Sequence, residues 1–195
     1  MSTRNARAAR TRIGRVALAD ARAVACAAGA LLLLASCARP IDPKLAQYEA
    51  AEKAVSAHIT TFDTLDFDVF THQKWDRLQE SHSKDIVVHW PDGHQTQGIE
   101  RHIEDLKAMF VYAPDTRIKQ HPVKVGQGDW TAVIGVMEGT FTQPMPIGDG
   151  KTIPPTGKHY KISMATFGHW KDGVMDEEYL FWDNQEFMKQ IGLGK

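Results

Sequence analysis

The sequence predicts an α+β domain, on three observations. Apolar residues recur at helical spacing only before Pro114, four long strand-like runs follow it, and no repeat, low-complexity tract or linker divides the chain between them. Helices first and antiparallel strands afterwards give a fold in which the helices pack on one face of a sheet.

Residues 1–36 lie outside that domain. Arg4, Arg7, Arg10, Arg12, Arg15 and Arg22 stand against a single acid, Asp20, and the apolar run Val24–Ala35 follows. A charged stretch before a short apolar one is the pattern of an export signal. The run is too short for the ~20 apolar residues of a membrane-spanning helix. It closes on Leu34, Ala35, Ser36 and Cys37, which resembles a bacterial lipobox. The expectation is a precursor cut before Cys37 and lipidated there, tethered by residues 37–41 to the periplasm-facing cell envelope, with residues 42–195 as its one domain.

Cys26 falls within the leader and Cys37 would carry lipid, so the domain is expected to lack a thiol for a disulfide, a Cys-ligated zinc or a nucleophile. Removing the leader's six arginines and one aspartate from 23 basic and 24 acidic residues leaves 17 and 23, a formal charge of −6. Such a domain matches nucleic acid poorly, because neutralised phosphates supply most of that affinity. Membrane contact is expected through the lipid alone.

Asp42 and Pro43 open a helix, with Leu45, Tyr48, Val55 and Ile59 as its apolar stripe. A second, broken helical region from Asp66 to His82 turns Phe67, Phe70, Trp75 and Leu78 inward. A short strand, Asp85–Trp90, ends at the turn Pro91, Asp92, Gly93. A third helix, Ile99–Tyr112, aligns Ile99, Ile103, Leu106 and Phe110. After Pro114 the strands are Ile118–Val125, Trp130–Thr142, His159–Trp170 and Val174–Trp182, and Asp172-Gly173 marks a hairpin between the last two. Apolar residues on both faces of these strands predict a homodimer through the sheet. Four prolines and three glycines between positions 143 and 158 mark a long surface loop, a candidate lid.

On the last strand Met175, Glu177, Tyr179, Phe181 and Asp183 share one face by the period of two, and Asp176, Glu178, Leu180 and Trp182 share the other. The first set mixes large apolar residues with carboxylates, as ligand pockets do, and a carboxyl so placed is poised for proton transfer. Parity by itself leaves the choice of face open, and Asp183 also stands where it would cap a helix from Asn184. His89, alternating with Val87 on the first strand, is a partner for such a carboxylate or else a core histidine. Nine histidines include no pair at the spacing of a metal motif, so no metal site is expected. No Gly-rich phosphate loop and no Gly-x-Ser-x-Gly elbow is present, against nucleotide binding and serine hydrolysis. Trp90, Trp130, Trp170 and Trp182 read as packing residues.

One family shares this order of signatures. Trp75, Asp76 and Leu78 precede Asp85-Ile86-Val87-Val88-His89; Gly98 opens a helix and Ala113-Pro114-Asp115 closes it. Pro155-Thr156-Gly157 precedes a strand, and Glu177-Glu178-Tyr179, Phe181-Trp182-Asp183 and Ile191-Gly192-Leu193 end the chain. From Trp75 to Leu193 the sequence resembles the SnoaL-like, or ester-cyclase, branch of the NTF2-like superfamily. The resemblance implies a cone, in which a bent antiparallel sheet wraps helices around an apolar pocket. It also implies ring closure by intramolecular aldol condensation without metal or organic cofactor, with Asp183 at the family's acid/base position. His89 and Glu177 are then its expected catalytic companions, and Tyr179, Phe181, Met175 and Val87 the expected pocket wall. Because polyketides are assembled in the cytoplasm and this chain carries an export pattern, a cyclase acting on a carbonyl or ester compound stands beside a second reading. That second reading is a non-catalytic, ligand-binding or dimeric module at the envelope.

Overall fold

The computed structural model describes residues 42–194, and the leader, Cys37 and the tether lie outside them. Helix α1, Pro43–Thr64, starts at the proline, whose fixed φ suits a first turn. Its first turns do not pack: Leu45 and Tyr48 are exposed, and the helix meets the sheet only from Val55 onward, burying Phe62. The expected four-residue stripe is therefore half used.

The expected second helix is two short pieces. Leu65–Phe70 continues α1 as a wider turn, with Thr71 N–H donating to the Asp66 carbonyl five residues back, and Trp75–Glu80 follows as a tight 3₁₀ turn. The widening rotates Asp66 toward the interior, where it is 6% exposed.

Strand β1, His82–His89, begins three residues earlier than the alternation suggests, and β2, Gln95–Gln97, folds back on it. Helix α2, Ile99–Tyr112, has the predicted bounds; Gly98 enters it at φ 93°, a conformation open to glycine at little cost. Strands β3 (Arg117–Ile118) and β4 (Val123–Gln127) both pair with β5 (Trp130–Thr140). The proline-rich segment forms a small hairpin, β6 (Met145–Pro146) with β7 (Thr152–Ile153). Strand β8 (His159–Lys171) turns through Asp172 and Gly173, both at positive φ, into β9 (Val174–Phe181), as the Asp-Gly pair predicts. Helix α3, Asn184–Gln190, ends the described fold.

The large sheet runs β2-β1-β9-β8-β5-β3, antiparallel except where β1 lies parallel to β9. The inner residues of β5 and β8, among them Val133, Met137, Tyr160 and Ile162, bury against Phe62, Phe70, Leu106 and Phe110 from the helical side. This is the expected α+β architecture, a curved sheet covered on one face by helices.

One irregularity decides which side chains point inward. Trp170 faces Met175 and His169 faces Glu177, so Asp176 is an extra residue on β9. A β-bulge shifts the inside-outside alternation by one. Met175 is buried, but beyond the bulge the inward residues are Glu178 and Leu180, and Glu177, Tyr179 and Phe181 turn outward.

Candidate functional site

A narrow slot opens between the helical side and the inner face of the sheet. Its atom-free space is about 440 Å³, of which about 30 Å³ can hold the centre of a water molecule. Leu65, Phe70, Leu106, Ile118, Met164 and Leu180 make it apolar, and half-buried Trp90, Met109 and Trp182 line it as well. Both indoles are pinned, Trp90 Nε1 donating to Thr96 Oγ1 at 3.0 Å and Trp182 Nε1 to Asn184 Oδ1 at 2.7 Å.

Four titratable groups reach this apolar space: Asp66, His82, His102 and Glu178. Glu178 Oε2 lies 3.4 Å from His102 Nε2 and 3.7 Å from His82 Nε2, and all three residues are under 5% exposed. Ser81 Oγ donates to the Leu78 carbonyl, so it accepts from His82 Nδ1 at 2.9 Å. That places a proton on His82 Nδ1 and turns Nε2 toward Glu178. His82 Nε2 and Glu178 Oε2 have no hydrogen-bond partner, nor does His102 Nδ1. Burial drives the His102 pKa down to about 4, so it is neutral at pH 7. Burial pushes the Glu178 carboxyl up, but the two imidazoles outweigh it and hold the group below its ordinary value.

Asp66 behaves oppositely. Burial raises its pKa, and the bond from His121 only partly offsets the rise. That bond begins a chain running from the interior to the surface: His121 Nε2 is 2.8 Å from Asp66 Oδ2, its Nδ1 is 2.7 Å from Asp63 Oδ1, and Lys124 Nζ donates to Asp63 Oδ2 at 2.7 Å. Burial works to lower the His121 pKa, yet the two carboxylates outweigh it and hold it above the usual histidine value.

None of the residues expected from the sequence to form the site lines this slot. Asp183 is the cap of α3, its Oδ1 accepting from Gln185 N and Glu186 N at 2.9 Å each, which is the helix-cap alternative. His89 and Glu177 do meet, at 2.9 Å, but on the outer face, where Tyr179 OH also donates to Glu177 Oε1 and stacks flat on His89 at 3.9 Å. Phe181 is exposed beside them, Val87 is half-buried, and Met175 is core rather than pocket wall. Of the two faces that parity left open, the one holding Glu178, Leu180 and Trp182 is the inner one, and the bulge at Asp176 detaches Met175 from the other set. The candidate lid, residues 143–158, contributes nothing to the slot either; its hairpin packs Met145 and Ile153 against the core elsewhere.

The residues that do line it carried weaker signals. His102 stands three residues after Ile99 and four before Leu106, on the buried stripe of α2. Glu178 belongs to the second parity set, with Leu180 and Trp182. Asp66 and His82 had only their places at the two ends of the broken helical region.

The wider comparison agrees with this architecture. A family model described as SnoaL-like polyketide cyclase matches residues 62–191, two thirds of the chain. The chain belongs to this family. Its fold is similar to that of IdmH, a presumed polyketide cyclase from Streptomyces antibioticus, at 23% identity and TM-score 0.59, over 69% of this chain and 98% of that one. A presumed SnoaL-like polyketide cyclase from Jannaschia sp. CCS1 aligns at 20% identity and TM-score 0.62, covering 72% and 94%. An NTF2-like protein of unknown function from Burkholderia pseudomallei aligns at 12% and 0.56, covering 70% and 98%. No curated protein matches the sequence. The SnoaL-like fold supports a small-molecule-binding or cyclase-type function.

Proposed function

We propose that this SnoaL-like protein binds a small, largely apolar molecule bearing a carbonyl or ester group, with its polar end at Glu178, and performs cyclase- or lyase-type acid/base chemistry on it. The observation that carries the reading is a pair of buried carboxyls in one apolar slot whose proton affinities are driven apart, Asp66 upward and Glu178 downward. Such a divergence separates an acid from a base at one pH. Glu178 accepts the proton beside the substrate carbonyl; Asp66, fed through His121, returns one to the carbonyl oxygen. The cyclisation ascribed to IdmH supports the reaction class.

The test is a titration with acetophenone, read on the methyl NMR signals of Met109 and Met164. Saturable shifts of both signals are expected. Shifts confined to methionines outside the slot, or none, would remove the reading. Native mass spectrometry of the protein purified from its own source then identifies the resident ligand.

We also read the outer face of the sheet as a homodimer interface. Val125, Trp130, Phe167 and Phe181 are 42–56% exposed there, and Phe167 and Phe181 meet edge to face at 6.0 Å. A second copy of the same face would cover them. Sedimentation should give a dimer that Phe167→Asp with Phe181→Asp converts to monomer. The leader pattern supports export and anchoring through lipid on Cys37, for which fatty-acid labelling lost in Cys37→Ser is the check.

A further inference from the structure

We propose that His82, His102 and Glu178 form a binding site for one divalent transition-metal ion of the Zn²⁺ or Co²⁺ type, open on the side facing the slot. The site rests on the slot reading for its fourth ligand, the carbonyl oxygen of the bound molecule, and replaces the proton-accepting role of Glu178 with that of a ligand.

Three observations carry it. The three donor atoms lie within 4.8 Å of one another, drawn from β1, α2 and β9. Their separations from Glu178 Oε2, 3.4 and 3.7 Å, are long for hydrogen bonds. The shorter matches ligands sharing an ion and the longer is somewhat wider: bonds of ~2.0–2.1 Å to nitrogen and oxygen place tetrahedral neighbours roughly 3.3–3.4 Å apart. The buried atoms are also left open, since Ser81 takes the His82 Nδ1–H while Nε2 and the carboxylate oxygen it faces are both unpartnered. A cation bound between them would satisfy both. Finally, the arrangement already contains the outer support typical of metal-binding histidines, with Ser81 orienting His82 from behind. Two imidazoles and one carboxylate are the donor set of hydrolytic zinc and of non-haem iron centres.

With an ion present Glu178 is a ligand, and Asp66 is the carboxyl left to move protons. The sequence could not disclose this, because the three ligands stand at positions 82, 102 and 178 and no local spacing joins them.

The experiment uses the full chain stripped with a chelator and titrated with Co²⁺, read by its visible d–d absorption and by calorimetry. One equivalent per chain is expected. Glu178→Gln and His102→Asn should each weaken it by more than the roughly 10–100-fold that loss of an outer partner costs, and Ser81→Ala by that amount. His89→Asn, on the opposite face, should leave it unchanged. Should the slot variants fail to fold, the wild-type protein still decides: Zn²⁺ must raise its melting temperature, reversibly by chelator. The proposal is overturned if stripped wild-type protein shows no d–d bands, or if binding survives in Glu178→Gln and His102→Asn, which would place it on surface histidines. Acetophenone binding by the stripped protein separates the two readings: its persistence without Co²⁺ uptake removes the metal and keeps the slot, and Co²⁺ uptake without it does the reverse.

Discussion

Glu177 and Glu178 are neighbours in sequence, each meets histidine, and they lie on opposite faces of one sheet. On the outer face every bond is made: His89 and Tyr179 both reach Glu177 Oε1, at 2.9 and 2.8 Å, in contact with solvent. On the inner face Glu178 has two histidines beside it and a hydrogen bond to neither, at under 5% exposure. A satisfied surface cluster contributes modestly to local structure. An unsatisfied buried one costs stability in a low dielectric, so its presence points to an additional group that completes it. The third cluster, Asp63-His121-Asp66, shows that this interior can satisfy a histidine fully. The incompleteness at Glu178 is therefore local.

Substitutions sharpen that contrast. Glu178→Gln should have the largest effect, lowering turnover of a carbonyl substrate by about 10²–10⁴-fold while the melting temperature moves little. A loss of folding comparable to the loss of turnover would make the cluster structural after all. Next in size is His121→Ala, which leaves the buried Asp66 carboxyl without its partner while Asp63 keeps Lys124, and should cost about 3–5 kcal/mol in denaturant unfolding. If it costs under 1 kcal/mol, the Asp63-His121-Asp66 chain is not the satisfied counterpart described above.

The same residue sets a pH dependence. The folded His121 pKa lies above its ordinary 6.5, so the folded protein retains a proton that the unfolded chain releases. Its contribution is fully present below pH 6.5 and is lost as pH rises through the folded value. Wild-type stability should thus fall from neutral to alkaline pH more steeply than that of His121→Gln; parallel curves would show that the histidine is not protonated in the fold. The smallest effect belongs to Glu177→Gln, which should change stability by less than about 1 kcal/mol and leave acetophenone binding untouched. A loss of binding there would return the outer face to consideration as the ligand site.

Much of the architecture was legible because it depends on local pattern. The period of Ile99, Ile103, Leu106 and Phe110 predicts α2 to the residue, and Asp172-Gly173 predicts the β8–β9 turn. The stripe of α1 packs only in its second half, because an apolar stripe states a capacity for burial, not the presence of a surface to bury against. The site was less legible. Strand parity reduced β9 to two candidate faces, one holding Glu177, Tyr179, Phe181 and Asp183 and the other Glu178, Leu180 and Trp182. Resemblance then favoured the first.

What the sequence by itself determined is each property set within a few residues: the helical stripe, the hairpin turn, the proline at the start of α1, and Asp183 as a possible cap. The tertiary structure alone decided three others. Packing of the sheet against the helices chose the face of Glu178 and Leu180 as the inner one, and one extra residue at Asp176 put Met175 on that face, because alternation has a period of two. The widened turn at Leu65–Phe70 brought Asp66 inward. The parallel pairing of β1 with β9 set His82 against Met175 and, with α2 packed across β1, gathered His82, His102 and Glu178 from positions up to 96 apart. No pattern in the chain encodes that meeting, because it arises from packing between elements whose separations along the sequence carry no period.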